Sequence, residues 1–181
     1  MLAASHALGT DLALVALAFA ELKPPVGRGE RTILAIGDSE ALLIDESYNA
    51  NPASMRAALA NLSAVELGRG ARRIVVLGDM KELGETGPRL HAELAEAVGS
   101  NRIDLLFAAG PLMKNLVDAL PQAKVATHAE TSAELVDAVC AAVRPGDAIT
   151  VKGSLSMKMA LVVKALKERY GASSTAHALK G

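Results

Sequence analysis

The sequence predicts an α/β fold: a mainly parallel sheet of about six strands, with one antiparallel edge strand and helices on both faces. Short β-rich runs alternate with helical stretches of about ten to fifteen residues, the pattern of βαβ crossovers. Hydrophobic residues make up 51% of the chain and aromatics 2%, so the core is built from small and aliphatic side chains, which suits helices and buried parallel strands. Only Gly37, Asp38 and Ser39 separate the first two runs, a hairpin-length connection that makes one edge strand antiparallel.

The first 31 residues are predicted to precede the sheet. Residues 1–8 resemble the end of a helix stopped by Gly9, and residues 12–22 a second helix. Residues 23–31, with two prolines and two glycines, are interpreted as a hinge linker. The apolar start lacks the basic region of a signal peptide and is interrupted too often for a membrane anchor. We therefore expect Met1 to mark a cut inside a longer protein.

Residues 32–171 are predicted to form the sheet domain, and residues 172–181 a flexible tail. The expected strands are residues 32–36, 41–45, 73–77, 104–108, 124–127 and 148–151. The expected helices are residues 52–66, 87–98, 111–120, 132–143 and 157–170. In such a sheet the binding crevice lies beyond the carboxyl ends of the strands, so the loops there are the first candidates for a site.

Composition excludes several classes of partner. The formal charge is −1, and without tryptophan there is no stacking platform for bases, so a nucleic acid is not expected as a partner. The single cysteine, Cys140, cannot form an internal disulfide and is predicted to be a small buried core residue in a reducing compartment. The four histidines show no paired metal-ligand spacing, and His91 is expected to have a surface or helix-packing role.

The segment of residues 45–52 is the sharpest candidate for a site. A buried strand ends at Asp45, a polar loop follows, and Pro52 opens a helix with Asn51 as its cap. The helix N-terminus favours an anionic ligand, whereas Asp45 would accept hydrogen bonds from ribose hydroxyls or hold a metal-bound water. The alternative is a capped helix with two solvated acids.

Three further segments are weaker candidates. Asp79 follows Gly78 at a strand end, which is also typical of an ordinary βα turn. Lys152 before Gly153 and Ser154 resembles half a phosphate cradle, but the sequence contains no G-x-x-x-x-G-K-[ST] motif. Arg28, between two glycines of the linker, could bind a phosphate from outside the domain, although solvated linker arginines are commoner.

Together these segments resemble the MurF-type peptidoglycan ligases. D-E-S-Y-N-A-N-P (residues 45–52) is similar to their D-D-S-Y-N-A-N-P signature, with Glu46 replacing the second aspartate. L-G-D-M-K-E-L-G (77–84) resembles L-G-D-M-x-E-L-G, and V-K-G-S (151–154) and K-P-P-V-G-R (23–28) resemble further family segments. Four motifs in the family's order, spanning about residues 1–170, make the resemblance specific.

The resemblance implies a three-domain cytoplasmic enzyme that joins D-alanyl-D-alanine to UDP-N-acetylmuramoyl-tripeptide, hydrolysing ATP with Mg²⁺. An acyl phosphate forms on the substrate carboxylate and the dipeptide amine attacks it. An N-terminal domain holds the UDP-sugar, and a central domain carries the P-loop. The C-terminal domain, similar to a Rossmann fold, completes the ATP and dipeptide sites on closure. Residues 1–22 would be the last helices of the central domain.

The same resemblance implies roles for individual residues. Contacts to ATP fall on Arg28, Asp45, Tyr48, Asn49 and Asn51. Contacts to the substrates fall on Asp79, Lys152, Gly153 and Ser154. Leu155 departs from the Arg or Asn that many members have there, and an apolar side chain cannot donate to a carboxylate. Without a P-loop, this chain alone is expected to have no catalytic residues, no metal site and no activity.

Two alternative interpretations of the chain remain open. One is the C-terminal domain of a sister ligase of the folylpolyglutamate synthase type, where a histidine usually replaces Asn49 or Asn51. The other is a free-standing Rossmann-like nucleotide-binding module, which would need a self-contained phosphate cradle.

Overall fold

The computed structural model describes residues 25–174, with side chains up to residue 171. The predicted helices of residues 1–22, the start of the linker and the last seven residues lie outside this range. The strands are β1 Glu30–Ile36, β2 Ser39–Glu46, β3 Arg73–Gly78, β4 Leu105–Ala109, β5 Val125–Ala129, β6 Ala148–Lys152 and β7 Ala172–Ser174. The helices are α1 Pro52–Ser63, α2 Gly87–Ala92, α3 Leu94–Ser100, α4 Met113–Asp118, α5 Ser132–Ala142 and α6 Ala160–Tyr170. Short 3₁₀ turns occupy Gly84–Thr86, Gln122–Lys124 and Leu155–Met157.

All of these strands form one sheet in the order β5-β4-β3-β6-β2-β1-β7. Neighbours from β5 to β2 pair in parallel, and β1 is antiparallel to β2 and to β7. The predicted antiparallel strand is therefore present, joined to β2 by a tight turn in which Gly37 has φ +61°. It does not form the edge of the sheet, because β7 pairs with its outer side.

Two predicted boundaries need correction. The sheet continues past residue 171, where a flexible tail was expected, because β7 binds the free edge of β1 through backbone groups. Its Ala-Ser-Ser sequence has no β-strand pattern that would reveal this pairing. At the other end, β1 begins at Glu30, inside the predicted linker, because Glu30 already pairs with Asp45.

Helices cover both faces of the sheet, as predicted. On one face α5 and α6 pack over side chains such as Leu43, Ile149 and Val151. On the other face α1, α3 and α4 pack over Val75, Leu77 and their neighbours. Cys140 lies buried under α6, and this burial raises the pKa of its thiol, as expected of an unreactive core residue. The predicted helix of residues 87–98 is instead two helices, with a turn at Glu93 between them.

Candidate functional site

The sheet topology brings the three strand-end motifs together. Strand β6 lies between β2 and β3, with Lys152 beside Glu46 on one side and beside Leu77 on the other. Because all three strands are parallel, the loops of residues 46–51, 79–83 and 153–156 leave the same edge of the sheet. The crevice predicted from the sequence is therefore formed by these three loops.

The first loop is held by its own polar side chains. Asp45 is 2% exposed, and its Oδ1 accepts the Ser47 N–H at 2.9 Å. The Asn49 Oδ1 accepts the Ala50 N–H at 2.8 Å. Asn51 caps α1 with a reciprocal pair of hydrogen bonds to Ser54, at 2.8 and 3.0 Å. These hydrogen bonds fix the loop and leave Tyr48, 44% exposed, as its most accessible large side chain.

The end of the linker docks onto this loop. The Gly29 N–H donates to the Asp45 carbonyl at 2.7 Å, and the Tyr48 N–H donates to the Gly27 carbonyl at 3.1 Å. Gly27 has φ +74°, and a Cβ there would lie 2.9 Å from the Tyr48 nitrogen, so the close approach requires glycine. The Arg28 guanidinium lies 4.2 Å above the Tyr48 ring, a cation–π contact. Arg28 is thus already placed beside the first loop.

Lys152, the last residue of β6, binds the first loop through its side chain. It is 3% exposed, and its Nζ donates to the Asn49 carbonyl at 2.8 Å and lies 3.7 Å from the Glu46 Oε2. Burial lowers the pKa of Lys152, and the nearby Arg28 adds to this, whereas Glu46 opposes it. Arg28, Glu46 and Lys152 line a small pocket of about 240 Å³ together with Tyr48, Asn49 and Asn51.

Asp79 is a predicted substrate contact, but its side chain does not line either pocket of the crevice. It is fully buried, and its carboxylate accepts the Met113 N–H at 2.9 Å and the Lys81 Nζ at 3.0 Å. Gly110 packs so closely that a Cβ there would lie 2.5 Å from the Asp79 carboxylate. The carboxylate therefore points toward the turn between β4 and α4, and it is Lys81 that reaches the crevice.

The third motif completes the crevice. The Ser154 Oγ accepts the Lys81 N–H at 2.9 Å, and the Ser154 N–H donates to the Asp79 carbonyl at 3.1 Å. Gly153 provides no lining surface. A Cβ there would lie 2.6 Å from the Met159 side chain and 3.0 Å from the Gly78 Cα, so its role is close packing of two strand ends.

His91, for which a surface or helix-packing role is expected, is buried in a helix and also supports the site, a contact that the sequence does not predict. It is fully buried in α2, where its Nε2 accepts the Met80 N–H at 3.0 Å. Since Nε2 accepts, the proton lies on Nδ1, which is 2.7 Å from the Gly87 carbonyl. His91 thus anchors the backbone between Asp79 and Lys81. The available signal was its position four residues after Gly87, where a helical histidine can bond back to the preceding turn.

A larger pocket of about 710 Å³ adjoins the small one. Tyr48, Asn49 and Asn51 line both, and the larger pocket is completed by residues of the second and third loops, including Glu82, Leu83, Ser154 and Leu155. Glu82 has φ +64° and Lys158, just past the third loop, has φ +52°. Positive φ is uncommon for non-glycine residues; Arg102, at φ +53°, is a further example among the described residues and lines neither pocket.

Between residues 25 and 174, no three or more His, Cys, Asp or Glu side chains converge on a common point. The carboxylates of Asp45 and Asp79 already accept hydrogen bonds from the protein. In the same range, no helix has the length and hydropathy needed to cross a membrane.

Comparison with known proteins gives a family match. A family model described as "Mur ligase, glutamate ligase domain" matches residues 27–155. The UDP-N-acetylmuramoyl-tripeptide–D-alanyl-D-alanine ligase of Bacillus subtilis is 34% identical over 144 residues, covering 77% of this chain and 31% of that protein. The enzyme of the same name from Escherichia coli is 33% identical over 168 residues, covering 92% of this chain and 35% of that protein.

Solved structures show the same fold. MurF from Acinetobacter baumannii has a TM-score of 0.74 at 25% identity, with 91% of this chain and 35% of that chain covered. MurF ligase from Thermotoga maritima, solved in complex with ADP, has a TM-score of 0.72 at 24% identity, with 93% and 37% covered. This chain spans about a third of the length of the relatives that it matches.

Proposed function

Because this chain belongs to the Mur ligase family, through its glutamate ligase domain, we propose that it is the C-terminal domain of an ATP-dependent ligase. The reaction would join D-alanyl-D-alanine to UDP-N-acetylmuramoyl-tripeptide in peptidoglycan precursor synthesis. The curated relatives that carry this activity in their names support the assignment over a sister ligase or a free-standing module. The remaining domains would supply the P-loop and the UDP-sugar site, and the reaction would take place in the cytoplasm.

The single observation that supports this function best is the pair of pockets with a common wall. The small pocket has a net positive charge, from Arg28 and Lys152 against the single carboxylate of Glu46, and it adjoins the N-terminus of α1. Both features favour an anion, so ATP would be bound there. The larger pocket has hydroxyl, amide and aliphatic groups together with the charges of Lys81 and Glu82, a mixture that suits a short peptide with charged ends. A ligase needs its nucleotide and its amine substrate side by side, and the pockets are arranged in that way.

The residues then have distinct tasks. Arg28 would pair with a phosphate group or bind the ribose, and Tyr48 would hold the guanidinium in place through the ring contact. Lys152 would add positive charge to the small pocket, and its hydrogen bond to the Asn49 carbonyl would hold the first loop in position. Asp45 and Asn51 would keep the loop in shape through their internal hydrogen bonds, and either could also meet a ribose hydroxyl.

In the second pocket Ser154 would meet the dipeptide, Gly153 would allow the close packing beneath it, and Asp79 would position Lys81. Closure onto the central domain would exclude water, which protects an activated carboxylate from hydrolysis while the amine attacks. Mg²⁺ would shield the charge of the phosphates. The described carboxylates form no cluster for it, so we assign its ligands to the absent domains.

The test uses the complete ligase, in which this chain is joined to its central and N-terminal domains. We expect Arg28→Ala to raise the KM for ATP about 10-fold or more, because a charge-assisted contact to a phosphate is lost. Arg102→Ala is the matched control, since that arginine is exposed and distant from both pockets.

We expect the 181-residue chain alone to show no ligation and no ATP hydrolysis. If the complete protein fails to ligate D-alanyl-D-alanine to the tripeptide precursor, the proposed function is wrong. If it ligates with an unchanged KM for ATP in the Arg28 variant, the nucleotide assignment alone is wrong.

A further inference from the structure

The larger pocket has an apolar stretch in otherwise polar surroundings. Leu83 comes from the second loop and Leu155 from the third, and both line the pocket. Leu155 is 64% exposed, an unusual state for a leucine beside a crevice. A large aliphatic group that faces solvent at a binding site gains free energy when an apolar ligand group covers it.

The backbone holds Leu155 in place. It opens the 3₁₀ turn Leu155–Met157, whose last residue donates its N–H to the Ser154 carbonyl at 2.9 Å. Lys158 closes the turn with an N–H to the Leu155 carbonyl at 3.0 Å, and the Lys158 carbonyl accepts the Ser132 hydroxyl at 3.1 Å. The backbone from which this side chain projects is thus held by the protein's own hydrogen bonds.

Leu83 is held in a similar way. The Thr86 hydroxyl donates to the Leu83 carbonyl at 2.7 Å, and two residues earlier the Lys81 N–H is bound to Ser154. Ser154, the residue before Leu155, therefore connects the loop of Leu83 to the turn that opens with Leu155. The two leucines therefore project from loops that are hydrogen-bonded to each other, an arrangement that favours discrimination between ligands of different shape.

We propose that Leu83 and Leu155 are specificity-determining residues that form an apolar wall for the aliphatic side chain of the amine substrate. The proposal rests on the ligase function above and narrows its amine substrate to short peptides with a small apolar side chain at the wall. The hydroxyl and amide groups of Ser154, Ser156 and Asn49 leave polar partners for the peptide bond and carboxylate of the same ligand. A polar or absent side chain would lose contact with the wall.

The test compares three dipeptides with the complete ligase: D-alanyl-D-alanine, D-alanyl-glycine and glycyl-D-alanine. One methyl group against an apolar wall is worth roughly a 10-fold difference in kcat/KM. The wild-type enzyme is therefore expected to prefer D-alanyl-D-alanine about 10-fold over at least one of the glycine analogues. Leu155→Asn should reduce that preference below about 3-fold, as measured by the same kcat/KM ratio, while leaving the KM for ATP unchanged.

Leu161→Asn is the control, because Leu161 is also an exposed leucine, 43%, but lies on α6 and does not line the pocket. Leu155→Ala is a second variant, which keeps the side chain apolar but shortens it. Its preference for D-alanyl-D-alanine should fall between that of the wild-type enzyme and that of Leu155→Asn.

No ligation by the wild-type enzyme would refute the proposed function itself. Ligation with a preference that Leu155→Asn and Leu155→Ala leave unchanged would refute the wall and leave the function standing.

Discussion

Replacing Gly110 by alanine tests whether Asp79 is as tightly confined as its contacts indicate. Gly110 has φ +109°, and an added Cβ would lie 2.5 Å from both the Cγ and the Oδ1 of Asp79. The carboxylate cannot withdraw freely, because it is fully buried and accepts the Met113 N–H and the Lys81 ammonium. One of these hydrogen bonds must therefore lengthen or break in the variant.

The expected loss of stability has two parts. The backbone strain of a non-glycine residue at this φ costs roughly 1–3 kcal/mol. Leaving the buried Met113 N–H or the Asp79 carboxylate without its partner costs roughly another 1–3 kcal/mol. We therefore expect Gly110→Ala to lower the free energy of unfolding by about 2–6 kcal/mol, measured by urea unfolding followed by circular dichroism.

Gly37→Ala is the matched control. Gly37 also has a positive φ, +61°, but a Cβ there meets nothing within 4 Å, so its cost is conformational only, about 1 kcal/mol. Asp79→Ala combined with Gly110→Ala removes the clash, and the double-mutant cycle should show a coupling of at least about 1 kcal/mol. Equal losses for the two single glycine variants, with no coupling to Asp79, would refute the reasoning.

Three further substitutions probe buried groups. His91→Leu should lower stability by about 1–3 kcal/mol in urea unfolding, because the Met80 N–H loses its acceptor. Thr150→Val should raise stability by about 1 kcal/mol, because the buried Thr150 hydroxyl has no hydrogen-bond partner among the described residues; a loss would contradict this. Lys152 has a lowered pKa, so the folded chain binds fewer protons than the unfolded chain between that pKa and 10.5. The free energy of unfolding therefore rises with pH through that window. The gain is lost as the pH falls through the folded pKa, because the buried Lys152 then takes up its proton. Lys152→Met should flatten the rise, which unfolding at a series of pH values would measure, and an unchanged slope would refute the assignment.

The parts of the fold that the sequence predicts are those with a local signal. Six strands and the helices on both faces follow from apolar periodicity, and the hairpin follows from the short connection at Gly37. Strand β7 has no such signal, because its three-residue Ala-Ser-Ser sequence has no apolar alternation. The turn at Glu93 has no breaker residue to mark it, so a continuous helical pattern does not reveal it.

The candidate site also has features that the sequence predicts and features that it does not. The three strand-end loops are predictable, because parallel neighbours place their carboxyl ends at one edge. The direction of the Asp79 carboxylate is not, since it depends on Gly110 and Met113, which come from the following strand and helix. The anchoring of Met80 by His91 likewise requires the position of α2 in space. The roles of individual residues toward substrates stay predictions until the variants above are measured.

The common wall of the two pockets has a thermodynamic consequence. Tyr48, Asn49 and Asn51 face both cavities, so a ligand that reorients them in one cavity changes the binding free energy in the other. Linkage requires the effect to be reciprocal. If bound nucleotide raises the affinity for the amine substrate by some factor, bound amine substrate raises the affinity for nucleotide by the same factor. A substitution at Asn49 would thus alter two dissociation constants and the cooperativity between them. Only titration of each ligand in the presence and absence of the other separates these three quantities.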